Sequence, residues 1–240
     1  PNASPVVSVA VCDTPAGHYE FYGFVHYSDG TLLGERDGDD PQFDPGVFRE
    51  GNMTYLYTGF CMPDDTVRKG CTVTVLAEDM LTIIREPEAI APGLCRAKGT
   101  SFETHAFFEA PSLRKREELY YLIYSSVYNH ELCYATGISP LGPFTCQGVI
   151  VDNCDVGIDS YKPADRKIAM HCNNHGSFTA IGDKWYMFYH RSTNGTQFSR
   201  QACAEEIHFD ENGLIPQVCV TSCGLNGGPL SCGIYYDAYI

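Results

Sequence analysis

Phe48-Arg-Glu-Gly-Asn-Met-Thr-Tyr55-Leu-Tyr57, Leu113-Arg-Lys-Arg-Glu-Glu-Leu-Tyr120-Tyr121-Leu-Ile-Tyr124 and Phe178-Thr-Ala-Ile-Gly-Asp-Lys-Trp185-Tyr186-Met-Phe-Tyr189 are three versions of one pattern. Each opens on an apolar residue, crosses a polar turn and places an aromatic seven positions on, and the openings at 48, 113 and 178 are 65 residues apart twice over. A short strand, a polar turn and an aromatic strand make a β-hairpin. A second unit recurs as well: Ala10-x-x-x-Thr14-Pro15-x-Gly17-x-Tyr19 matches Ala135-x-x-x-Ser139-Pro140-x-Gly142-x-Phe144 at an offset of 125, with Thr72-Val-Thr-Val-Leu-Ala77 a weaker copy between them. Two hairpins per 65-residue period make one four-stranded blade, and blades set radially make a β-propeller. A β-sandwich with chance similarity is the competing reading.

The rest of the chain agrees with an all-β class. Runs rich in Tyr, Phe, Val and Ile alternate with Gly, Pro, Asp and Asn clusters, and no window sustains helical spacing beyond about three turns. At 240 residues the chain is read as a single propeller domain over 1–240, since all-β units reach this size without dividing. Front and back hairpins are both present from Phe48, Leu113 and Phe178, whereas residues 8–26 supply a back half alone. The expectation is therefore a propeller lacking the front half of blade one, with Ile234–Ile240 an unfinished strand.

Sixteen Lys+Arg against thirty Asp+Glu give a net charge of −14, which disfavours nucleic acid and anionic lipid as partners and suits a neutral one. The longest apolar runs fall far short of the ~20 residues a membrane helix needs. The twelve cysteines show no C-x-x-C spacing, and Cys12, Cys133 and Cys219 fall in apolar, strand-like runs. They are read as reduced, buried thiols, which favours the cytoplasm over secretion. The acidic run Glu35-Arg-Asp-Gly-Asp39-Asp40 is read as a solvated loop, with calcium binding as the alternative.

Two carboxylates stand out. Glu109, in His105-Ala-Phe-Phe108-Glu109-Ala-Pro-Ser-Leu, is flanked by aromatics and Pro111 just ahead of a strand, where burial favours a proton-donating carboxylic acid. Asp44, in Gln42-Phe43-Asp44-Pro45-Gly46-Val-Phe48, takes the same place in its own blade, four residues before the apolar strand residue. The third equivalent position is Asn174, beside His175. Such a set, brought to the inner mouth of a propeller, has the residue types that glycosidic bond hydrolysis needs.

With Phe43-Asp44-Pro45, Phe108-Glu109-Ala-Pro-Ser-Leu, Asn174-His175-Gly176-Ser177-Phe and Tyr189-His190-Arg191 in this order, the chain resembles glycoside hydrolase family 43 over nearly its whole length. The resemblance implies a five-bladed β-propeller and cleavage, with inversion, of terminal xylosyl or arabinofuranosyl units from plant cell-wall oligosaccharides. It implies Glu109 as general acid, Asp44 as the carboxylate that tunes it, and Arg200 as a contact to the sugar. Phe43, Phe108 and His175 would complete the substrate pocket, and His175 would match the channel histidine that in many members holds a calcium ion through water. One departure follows from the same comparison: the family's general base, an Asp near the amino end, has no counterpart in Pro1–Val7. A carbohydrate-binding propeller without a base is the alternative reading.

Overall fold

The computed structural model describes residues 6–157, 164–192, 194–196, 198–228 and 231–233. Ile234–Ile240, read above as an unfinished strand, lie outside them. Among the described residues thirteen strands form four antiparallel sheets. β1 (Ser8–Val11) pairs with β2 (Glu20–Phe24). β3 (Gly46–Glu50), β4 (Met53–Thr58), β5 (Gly70–Leu76) and β6 (Ile83–Pro92) make a four-stranded sheet in chain order. β7 (Phe107–Arg116), β8 (Leu119–Ser126), β9 (Leu132–Gly137) and β10 (Thr145–Val151) make the next, after the single helical turn α1 (Leu94–Ala97). β11 (Gly176–Ile181), β12 (Lys184–Ser192) and β13 (Arg200–Ile207) make the fourth.

Burial shows why the sheets stack face to face as blades. β8 is covered on both faces, and its period-two alternation divides it between two cores. Tyr120, Leu122 and Tyr124 pack with Tyr55, Tyr57, Val73 and Val75 of the preceding sheet. Tyr121 and Ile123 pack with Phe178, Met187 and Tyr189 of the following one. β4 divides likewise, with Tyr55 and Tyr57 on one side and Leu56 on the other, against Val25, Leu33 and Ile83. Each fully buried Leu or Ile contributes roughly 1.5–3 kcal/mol, so the interfaces between sheets carry most of the stability.

The repeat is reproduced in register. Ala10 faces Phe21 and Ala135 faces Cys146, both pairs offset by 125 residues, so the two back hairpins are superimposable units. In the front hairpins the two-residue turns fall at Gly51-Asn52, Glu117-Glu118 and Gly182-Asp183. Phe48 pairs with Tyr55 as the spacing suggests, but Leu113 pairs with Leu122 and Phe178 with Met187. The sequence alignment is thus one residue out between the first front hairpin and the other two.

All twelve cysteines are free. Cys133 lies in β9, and burial pushes its thiol well upward. Cys12 directly follows β1, whereas Cys219 lies in irregular chain after β13, not in a strand. In the acidic loop Asp39 accepts hydrogen bonds from Tyr27 Oη and from the Gly34 and Arg36 amides, and Asp40 accepts one from the Lys69 amide. The Asp39 oxygens cap a turn and the Asp40 oxygen ties the loop to Lys69, which disfavours the calcium reading of this loop. No helix among the described residues is long and apolar enough to cross a membrane.

Candidate active site

The innermost strands lie side by side, β3 against β7 and β7 against β11, and β7 is joined to β11 by a hydrogen bond from Ser112 Oγ to Ser177 Oγ (2.9 Å) and one from Arg114 Nε to the Phe178 carbonyl (3.2 Å). Their starts share a cleft of about 330 Å3 lined by Asp44–Gly46, Ala110–Ser112 and His175–Gly176. The approach is close because Gly46 has no side chain: a Cβ there would meet the Pro111 carbonyl oxygen at 2.2 Å. A larger cleft of about 540 Å3 beside β1 and β2 is lined by Asp13, His18 and Glu20, all exposed, which leaves them in bulk water.

At the shared cleft Asp44, Glu109 and His175 converge, each offering an atom within 4.8 Å of the others. Glu109 is buried at 3% exposure. It lies inside β7, not ahead of a strand, at a bulge where the register slips between Glu109 and Ser112. The left-handed backbone at Asp44 (φ 47°) has its counterpart at Ala110 (φ 63°), each seven residues before its turn. Asp44 and Glu109 are therefore one position apart in hairpin terms, and the bulge turns Glu109 back toward Asp44.

Three nitrogens converge on Glu109 Oε1: Asn173 Nδ2 at 3.3 Å, His175 Nε2 at 3.4 Å and His130 Nδ1 at 3.7 Å. His175 Nε2 also lies 3.2 Å from Asp44 Oδ2, an ion-pair distance without hydrogen-bond alignment, since Oδ2 has no hydrogen-bond partner. The hydrogen bond to Glu109 and the charge of Asp44 hold the His175 imidazole above its ordinary pKa, against the effect of burial. Burial, with the charge of Glu109 adding to it, raises Asp44, while His175 and Arg200 oppose the rise.

Arg200 opens β13 opposite Ser192, and its charge is felt by Asp44, His175, His130 and His190. Phe43 and Phe108 are bridged by Phe60, whose ring centroid lies 5.0 Å from one and 5.2 Å from the other. Phe108 is buried against this ring and His130, so of the two Phe43 presents the exposed face. Asn174, the third equivalent position, is fully buried and its side-chain amide reaches no partner, while its neighbour Asn173 makes the contact to Glu109.

His190 on β12 lies with its ring centroid 5.8 Å from that of His175, and burial pushes it down to about 4. A histidine held below its unfolded value, roughly 6.5, favours folding only while neutral, so its contribution is full above about pH 6.5 and falls as pH drops toward 4. His175 acts in the opposite sense: its raised value gives stability that is full below about pH 6.5 and is lost as pH climbs through it. The thermal midpoint is expected to fall from pH 6.5 to 4, and His190→Gln to flatten that fall. An unchanged slope in the variant would contradict this.

The glycosyl hydrolases family 43 model matches residues 2–215. A xylosidase/arabinosidase of Thermoclostridium stercorarium is 60% identical over 98% of this chain and 50% of its own length. A xylosidase/arabinosidase of Bacteroides ovatus is 32% identical over 90% of this chain and 59% of its own. The chain thus spans about half the length of the first of these curated relatives. Among solved structures, a family 43 β-xylosidase/α-arabinofuranosidase from a compost microbial metagenome, in complex with xylotriose and described as a calcium-free form, superposes with TM-score 0.64 at 26% identity, over 88% of this chain and 64% of that one. A family 43 enzyme of Xanthomonas citri complexed with xylose gives TM-score 0.65 at 25% identity, over 89% and 63%.

Proposed function

The chain belongs to glycosyl hydrolases family 43, and on that premise we propose that it carries the acid side of the active site of an enzyme that removes terminal xylosyl or arabinofuranosyl units from oligosaccharides with inversion. The observation that carries this is the buried Glu109 with Asp44 and His175 at its carboxyl group, gathered from three sheets onto one cleft. Glu109 protonates the leaving oxygen. Its Oε1 is engaged by protein nitrogens, which leaves Oε2 to carry the transferable proton. Asp44 is a second carboxylate at close range, and His175 Nε2 stands between the two, 3.2 Å from one and 3.4 Å from the other.

Asp44 is too close to act as base. Its oxygen and that of Glu109 lie within 4.8 Å, whereas an inverting pair stands roughly 6.5–9.5 Å apart to admit water. The carboxylate that activates water must therefore stand farther from Glu109. Arg200 and the exposed face of Phe43 are the polar and apolar contacts offered to the sugar ring.

Calcium held through water would find two carboxylates here, with water completing the six to eight oxygens the ion takes. His175 turns Nε2 onto both carboxylates, so it would face such an ion from the same side as they do. The free thiols suit a reducing compartment such as the cytoplasm.

The test is hydrolysis by the full-length protein of nitrophenyl β-xyloside and α-arabinofuranoside, with the first-formed anomer followed by proton NMR. The inverted sugar is expected from at least one substrate. A retained anomer would refute inversion, and sugar binding without turnover would turn the reading toward a carbohydrate-binding propeller.

A further inference from the structure

Outside the carboxylates, the most constrained side chain near Glu109 is His130, in the loop between β8 and β9. Asn129 and His130 both hold left-handed backbone, φ 60° and 55°, a conformation that costs free energy at residues other than glycine and clusters at working sites. The ring stands edge-on to Phe108, with centroids 4.7 Å apart and planes at 86°. Its Nδ1 is buried without a hydrogen-bond partner and faces Glu109 Oε1 at 3.7 Å. A strained loop, a ring fixed by an aromatic neighbour and an unused donor position aimed at the acid are three separate observations with one target.

We propose that His130 is a positioning residue for Glu109: its Nδ1–H closes on Oε1 as the acid gives up its proton and becomes a carboxylate. The proposal rests on the reading of Glu109 as general acid. The proton leaves Glu109 for the leaving-group oxygen, and His130 stays neutral throughout, donating one hydrogen bond and transferring nothing. A donor that tightens as negative charge develops stabilises the transition state more than the ground state. Contacts of this kind are often long before substrate binds. The charged groups facing His130 are Glu109, which favours its cation, and His175, His171 and Arg200, which together with burial disfavour it. The neutral donor is the form this setting supports.

The test compares wild type, His130→Asn, His130→Ala and Glu109→Gln in the full-length protein; Asn tolerates the left-handed backbone, so at least one folded variant is available. On a xyloside or arabinoside with an alkyl leaving group, which needs the acid, kcat is expected to fall about 10- to 100-fold with KM nearly unchanged, the usual effect of losing a hydrogen bond to a charged group. On the dinitrophenyl glycoside, whose leaving group needs no proton, kcat should stay near wild type. Equal loss on both substrates would overturn the proposal, because that is what mere loosening of the loop does. In the Glu109→Gln background, His130→Asn should add no further loss, and an additive loss would also overturn it. If Glu109→Gln itself shows no dependence on the leaving group, the acid assignment fails instead.

Discussion

Glu109→Gln is expected to lower kcat on unactivated glycosides by about 10²- to 10⁴-fold while leaving sugar affinity nearly intact. The amide matches the carboxyl in shape and keeps an oxygen for Asn173 Nδ2, now 3.3 Å from Oε1, so the cleft keeps its form. It has no proton to give. It also takes the negative charge away from the oxygen that His175 Nε2 faces, so that imidazole should titrate closer to its ordinary value in the variant. Steady-state kinetics, xylose and arabinose titration calorimetry, and NMR titration of the His175 ring measure the three effects separately. Unchanged turnover would remove Glu109 from the acid role.

Gly46→Val is expected to damage stability and turnover together. The new Cβ would lie 2.2 Å from the Pro111 carbonyl oxygen and 3.2 Å from its carbon, and both are backbone atoms of β7 that cannot swing aside as a side-chain tip does. Overpacking of this sort costs about 1–3 kcal/mol, which for a domain of this size lowers the thermal midpoint by several degrees. Turnover should fall further than stability alone requires, since Gly46 lies two residues after Asp44 and Pro111 two after Glu109. Gly227, with open space around its Cβ, provides the control as Gly227→Ala. A Gly46→Val protein with wild-type melting and kcat would show that the inner strands can separate without disturbing the carboxylates.

What the sequence reveals and what it hides divide along physical lines. Hairpins are local, so polar turns flanked by aromatic strands carry the fold in plain view, and the Ala10 and Ala135 units proved to share one register. Asp44, Glu109 and His175 were legible because each lies seven or eight residues ahead of a polar hairpin turn. The bulge in β7 was not: it depends on a left-handed Ala110, which nothing in the composition of Ala-Pro-Ser marks. His130, Asn173 and Phe60 were missed for a related reason, since they sit on connections whose course is set by neighbouring sheets. The one local signal for His130 was Asn129 before it in a polar turn between aromatic strands, because Asn readily takes left-handed backbone.

Glu109 within β7, Asp44 just ahead of β3 and His175 just ahead of β11 are each placed by a different sheet. No single sheet contains a working centre. Gentle heating or low denaturant that merely unseats one sheet from the next will therefore silence the chemistry while every hairpin is still intact, making loss of turnover an early alarm for a molecule whose circular dichroism has yet to change.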